Sequence, residues 1–358
     1  MPEPREYVVG WQLPRTPDAV YNVQEEPYQV PGEVAYQWFA VDTDFKEDKW
    51  VQSVEVMPGN RAVVHHILAF HRQSRTNRNF GGQRGFFAAY VPGLRARPWP
   101  EGTAKLLPAG SQLVFQVHYT PIGSIQEDVS QIGLVFAEPE NVTRRGISTS
   151  AFNAKISIPS RDDNHREEAK SRVIPWDAEL LSMSPHMHLR GKSFHYDVVF
   201  PDGRREVLLD VPHYDFNWQT TYRFSESISL PADSQIHVVA HFDNSAGNLN
   251  NPNPDRNVSW GDQTWDEMLI GYFNISVPAD VEVAQPESEL MTPVAAIAAV
   301  ERQAKKLFQR ADGDDDGSIT KEEAPAMLKA MFLLVDRDKN GTVSLEEFST
   351  ALKKYMKH

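Results

Sequence analysis

After residue 45 apolar and polar side chains alternate in short runs, the period expected of half-buried β-strands. Trp50-Val51-Gln52-Ser53-Val54-Glu55-Val56 ends in the turn Pro58-Gly59-Asn60, and Ala62 to Phe70 follows as a second strand. Leu113 to Tyr119, Ile132 to Phe136 and Ile156 to Pro159 carry the same pattern, as do Ala178 through His188 and Met268 to Phe273. Turns at Pro201-Asp202-Gly203 and Pro231-Ala232-Asp233 bracket further aromatic strands. Short strands at regular spacing predict a mainly β fold of two antiparallel, jelly-roll-like β-sandwich domains. Residues 1–45 read as a Pro-rich extended arm, 72–105 as a Gly- and Arg-containing loop region, and 161–172 as a charged loop. From Val294 the period changes to helical, with Ile297, Val300, Ala304, Leu307 and Phe308 on one face. The expected division is 1–141, 142–280, a linker over 281–292, and a small all-α unit over 293–358.

Composition narrows the function more than the fold. At 358 residues the chain exceeds one comfortable core. The net charge of -13 disfavours nucleic acid as a partner. There is no cysteine, which removes thiolate zinc sites, iron–sulfur clusters and thiol nucleophiles. No run of 18 apolar residues predicts a membrane-spanning helix. Residues 1–20 lack a signal-peptide core, so the chain is either cytosolic or an exported protein whose leader has been removed. The arginines Arg72, Arg75, Arg78, Arg84, Arg95 and Arg97 form a local basic rim, either solvated or suited to an anionic substrate or reductant.

Two stretches in the last unit carry the most specific chemistry. Asp312 to Glu323 matches a twelve-residue calcium loop: Asp312, Asp314 and Asp316 offer carboxylates, Gly317 turns the chain, Ser318 offers its carbonyl and Glu323 closes the shell. Asp336 to Glu347 repeats it with Asp338, Asn340, Gly341 and the carbonyl of Thr342. Two calcium ions are therefore expected in an EF-hand pair. Only twelve residues, 324–335, separate the loops, so a single helix is expected to serve both.

Histidines supply the second chemistry. His186 and His188, two apart in a strand, would share one sheet face, and neutral imidazoles there form half of a metal site. His65 and His66 are adjacent, so regular pleating would send them to opposite faces; one ion can take both only if the backbone bulges or twists there, or if the strand lies at a domain edge. His118 lies in its own strand, and Met268 offers a thioether, a soft ligand that selects Cu(I). Singly, each of these residues is equally at home as a core or surface side chain.

Jointly, His65-His66-Ile67-Leu68-Ala69-Phe70, Gln116-Val117-His118-Tyr119, His186-Met187-His188-Leu189-Arg190-Gly191 and Asp266-Glu267-Met268 resemble the ascorbate-dependent type II copper monooxygenases. That is the family of peptidylglycine α-hydroxylating and dopamine β-monooxygenases, and the resemblance covers residues 45–280. It implies an electron-transfer copper on His65, His66 and His118, and a catalytic copper on His186, His188 and Met268. It further implies O2, a small-molecule substrate near Tyr272, and an external reductant such as ascorbate. The family's arginine and asparagine that hold a substrate carboxylate fall at Ser184 and Ile270, so a peptide ending in glycine is not the expected substrate. The appended calcium loops point to a bacterial, exported (periplasmic or extracellular) relative. The alternatives are a copper-binding or electron-transfer protein of the same fold that does not hydroxylate, and a calcium-dependent adhesion or interaction module whose histidines are structural.

Overall fold

Alternation at period two lets each strand bury one face, and the described residues use it to build one eight-stranded sheet, two four-stranded sheets and three two-stranded ones. The computed structural model describes residues 10–30, 36–72, 85–93, 97–261, 263–281 and 283. In the C-terminal region it describes 308, 311–314, 316–324, 329, 332, 335–336, 340–345 and 347–348. The chain divides into two compact units, Met1–Val283 and Ala284–His358.

In the first unit, eight strands form one sheet in the spatial order Ala19–Asn22, Gln131–Phe136, Lys49–Met57, Thr103–Leu107, Arg144–Phe152, Ile270–Pro278, Ala178–His186 and Tyr222–Leu230. Every pairing is antiparallel except at the middle, where Thr103 and Ala104 run parallel to Arg144 and Arg145. That seam splits the sheet into two halves. Gln37–Asp42, Gln112–Tyr119, Val64–Arg72 and Phe86–Tyr90 form a four-stranded sheet that shares a core with the first half. Ile67, Phe115, Val117 and Ile132 are fully buried in it. His165–Lys170, Gln235–Phe242, Gly191–Val199 and Arg205–Val211 do the same for the second half, around Leu180, Met183, Phe194 and Phe242. Each such side chain contributes roughly 1.5–3 kcal/mol of transfer free energy.

Several strands lie where the sequence predicts an extended arm, loops or nothing; Ala19–Asn22, Tyr28–Val30 and Gln37–Asp42 fall in the expected arm. Phe86–Tyr90 and Thr103–Leu107 fall in the expected loop region, His165–Lys170 in the expected charged loop, and Arg144–Phe152 went unassigned. His165–Lys170 buries only Ala169, so five polar residues out of six hid its period. The last strand runs Ile270–Pro278 rather than Met268–Phe273, leaving Met268 in the preceding loop. Near the seam the Lys105 amine is buried, donating to the carbonyls of Phe86 (3.3 Å) and Phe87 (2.9 Å). Burial lowers Lys105 to about 7.

In the second unit Ser318–Thr320 pairs antiparallel with Thr342–Ser344. Phe308, Ile319, Phe332, Val335 and Val343 pack beneath the pair. The expected helix over Val294–Arg310 lies almost wholly outside the described residues, and so does most of the single helix expected over 324–335.

Candidate metal centres

The first histidine cluster depends on an irregularity in pairing. Val64 lies opposite Tyr119 and His66 opposite His118, so His65 is an extra residue on its strand. This is the bulge that adjacent ligands require, and it turns His65 toward the face that carries His66 and His118. One nitrogen from each of the three rings lies within 4.8 Å of the other two. The Nδ1 atoms of His65 and His66 are 3.1 Å apart, and the buried Nδ1 of His118 has no hydrogen-bond partner. A Tyr36 ring covers the site, centred 4.6 Å from His118 and 5.8 Å from His66.

All three rings are held neutral. Burial lowers His65, and burial with the neighbouring His65 lowers His118 to about 4. His66 is held well below the ordinary value, through burial first and then through His118, His65, His186 and His188. The last two belong to the other half of the sheet, so the two clusters lie within each other's electrostatic reach. A buried lone pair with no donor and three neutral imidazoles fit a divalent or monovalent metal ion of the copper or zinc type.

The second cluster is built differently. His186 is the last residue of its strand, and His188 lies beyond it, in the turn leading to Gly191–Val199. The two rings are therefore not brought together by pleating, contrary to the sequence reading. The Tyr214 hydroxyl accepts from the Met187 amide (3.0 Å) and donates to its carbonyl (2.7 Å), replacing a sheet partner. The turn then closes with the Gly191 amide on the His188 carbonyl. The rings end 5.2 Å apart between centroids.

Each ring has its Nδ1 engaged. Gln219 donates its amide nitrogen to the Phe216 carbonyl, so its Oε1 faces His186 Nδ1 at 2.6 Å and accepts from it. His188 Nδ1 approaches the Asp266 carbonyl at 3.3 Å. Both Nε2 lone pairs are thereby left for a ligand, the arrangement of metal-binding histidines oriented by outer partners. Burial lowers His186, and burial with His186 lowers His188 to about 3.

Met268 lies in the loop beside Glu267, whose carboxylate bonds the main chain at His188 and Arg190. The Glu267 carboxylate is fully buried; Oε1 accepts from the Arg190 amide (2.6 Å), and Oε2 from the amides of His188 (2.8 Å) and Met268 (3.3 Å). Burial pushes Glu267 up to about 8, against the pull of those amides and of the Arg190 guanidinium. Tyr272 lies beside His186, ring centroids 6.3 Å apart, and stacks on Phe86 of the first half at 6.0 Å. Burial raises Tyr272 to about 12. Sequence reasoning missed Gln219 altogether and quoted Glu267 without a role. Of the arginine rim, Arg75, Arg78, Arg84 and Arg95 lie outside the described residues, while the Arg72 guanidinium is bonded to Gln112.

In the second unit Asp312, Asp314 and Glu323 gather their carboxylates within 4.8 Å. Gly317 and Gly341 hold φ of 86° and 88°, as the sharp turn requires. The Asp312 carboxylate accepts from the amides of Asp316 (3.1 Å) and Gly317 (3.0 Å), and Asp336 accepts in the same way from Asn340 (3.1 Å) and Gly341 (3.0 Å). Asp316 accepts from Ser318, and Glu323 from Gly313 and Thr320. Thr342 and Glu347 stand at the matching places of the second loop, each bonded within it, while Asp338 lies outside the described residues.

Models of the EF-hand domain match residues 304–323 and 327–355, and this segment is a calcium-binding EF-hand pair. No curated protein matches the chain. Among solved structures, that of the infectious bursal disease virus Gx strain is similar over 97% of this chain and 97% of its own, at 11% identity and a TM-score of 0.21. A Paenibacillus xanthan lyase is similar over 74% of this chain and 27% of its own, at 9% identity and a TM-score of 0.20. The VP2 subviral particle of the same virus covers 65% of this chain and 58% of its own, at 10% identity and a TM-score of 0.22. These scores lie far below those of a shared fold. Among the described residues no helix is long and apolar enough to cross a membrane.

Proposed function

We propose that the first unit is a copper-dependent monooxygenase that places one atom of O2 into a C–H bond of a small organic substrate. The balance is RH + O2 + 2 e⁻ + 2 H⁺ giving ROH and H2O, with the electrons drawn singly from an external reductant such as ascorbate. The reading rests on one observation: two histidine clusters of different construction in one compact unit, every ring held neutral by burial. His65, His66 and His118 would hold the electron-transfer copper, and His186, His188 and Met268 the catalytic one, whose thioether favours Cu(I). Copper supplies the one-electron couple and the site of O2 activation.

The chain's own residues do the rest. Gln219 and the Asp266 carbonyl keep a proton on each Nδ1 and so keep each Nε2 lone pair free. The Phe216 ring, 6.0 Å from His188, helps to exclude water from the second cluster. Tyr272, held protonated by burial, can donate a hydrogen bond to a substrate beside His186. The calcium-binding pair is an appendage to this chemistry.

The test combines metal analysis with turnover. About two coppers per chain are expected, falling to about one in His186→Ala, as metal affinity follows ligand count. Ascorbate-dependent O2 consumption should accompany product formation on a panel of small substrates. Copper bound at both clusters with no turnover on any of them would instead mark an electron-transfer or copper-binding protein. No bound copper at all would leave the histidines as structural groups.

A further inference from the structure

Glu267 joins the two chain segments that carry the second cluster. His188 arrives from the turn after Ala178–His186, and Met268 from the loop before Ile270–Pro278. No strand pairing links the two segments at these residues, since the register between their strands stops at His186 opposite Ile270. The Glu267 carboxylate supplies the link. Its Oε2 takes the amides of both His188 and Met268, and its Oε1 takes that of Arg190. The preceding residue grips the same histidine by its ring, through the Asp266 carbonyl on Nδ1. Asp266 is in turn held by Arg256 at 2.8 Å, and Arg190 by Asn244 at 2.8 Å and the Trp265 carbonyl at 3.0 Å.

We infer that Glu267 is a positioning residue, whose carboxylate sets the distance between the His188 ring and the Met268 thioether and so brings the sulfur into the second cluster. The inference rests on the copper reading of that cluster. Three amides converge on two oxygens, a geometry that favours the ionised carboxylate against the pull of burial, and only a carboxylate accepts fully on both sides. A glutamine offers one carbonyl oxygen, so in either flip an NH2 group opposes a main-chain N–H. A methionine fills the volume and accepts nothing. Buried main-chain amides left without an acceptor will move to find one, and Met268 moves with them.

The test uses the full chain as wild type, Glu267→Gln and Glu267→Met. Each is titrated with Cu(I) against a competing chelator, and the loaded forms are examined by X-ray absorption for a sulfur neighbour. Loss of an outer partner typically weakens a metal site about 10–100-fold. That loss is expected at the second cluster alone, together with the sulfur signal, while the three-histidine cluster keeps its affinity. Unchanged affinity and an unchanged sulfur signal in both variants would overturn the inference. Loss of both clusters, or failure of both variants to fold, would make Glu267 a general determinant of the fold and overturn it equally. A wild-type chain that binds copper only at the three-histidine cluster, without sulfur, would sink the copper reading itself.

Discussion

The two histidine clusters solve one problem in opposite ways. In the first, the ligands are gathered by backbone pairing: a single extra residue turns His65 toward His66, and the next strand sets His118 opposite. The Nδ1 atoms of His65 and His66 meet each other, and the buried His118 Nδ1 has no hydrogen-bond partner. In the second, strand pairing ends at His186, and the geometry comes from side chains and carbonyls recruited from far along the chain. A site built on backbone tolerates changes around it, whereas a site built on outer hydrogen bonds depends on each of them.

The sharpest way to break this comparison is to remove a ligand from the backbone-built cluster. His118→Ala should abolish copper at that cluster and with it turnover, while the second cluster still binds one copper by metal analysis and spectroscopy. Loss of both coppers would show that the clusters fold as one. A smaller effect is expected from Gln219→Leu, which leaves every ligand in place but frees the His186 ring. Copper at the second cluster should weaken about 10–100-fold, with the first unchanged in competition titrations. An unaltered second cluster would mean that Gln219 only accompanies the ring.

The smallest effect is common to both clusters and needs no metal. Between the ordinary histidine value of 6.5 and about 4, the unfolded chain carries a proton on His118 that the folded chain refuses; for His188 the window runs down to about 3. Folded-state stability of the metal-free chain therefore falls as pH drops below 6.5. Each such histidine contributes at most about 1.4 kcal/mol per pH unit. Thermal melts from pH 7 to 4.5 should show the decline, and His118→Ala should flatten it. A melting temperature independent of pH in that range would place these rings in water rather than in the fold.

How much of this was legible depended on how local each feature is. The calcium loops are contiguous, so Asp312 to Glu323 declares its ion by spacing alone. Strands with a clean apolar face, such as Gln112–Tyr119, were readable; His165–Lys170, with one buried side chain, was not. At the copper candidates, the ligand types could be singled out in sequence, and so could the need for a bulge, a twist or a strand edge at His65; the pairing register decided for the bulge. Glu267 and Gln219 could not, because the contacts that give them meaning span 79 and 33 residues.

The amino-acid sequence by itself determined which donors the protein possesses: imidazoles and a thioether without thiols, and two acidic loops whose spacing dictates their own geometry. Only the tertiary structure decided which donors meet, which ring nitrogen of His186 and His188 is left free, and that Met268 is anchored to the same carboxylate as His188. The physical reason is range. A twelve-residue loop closes on itself through local turns, whereas the carboxylate clamp exists only after distant strands have buried a common core and left its amides no water to bind.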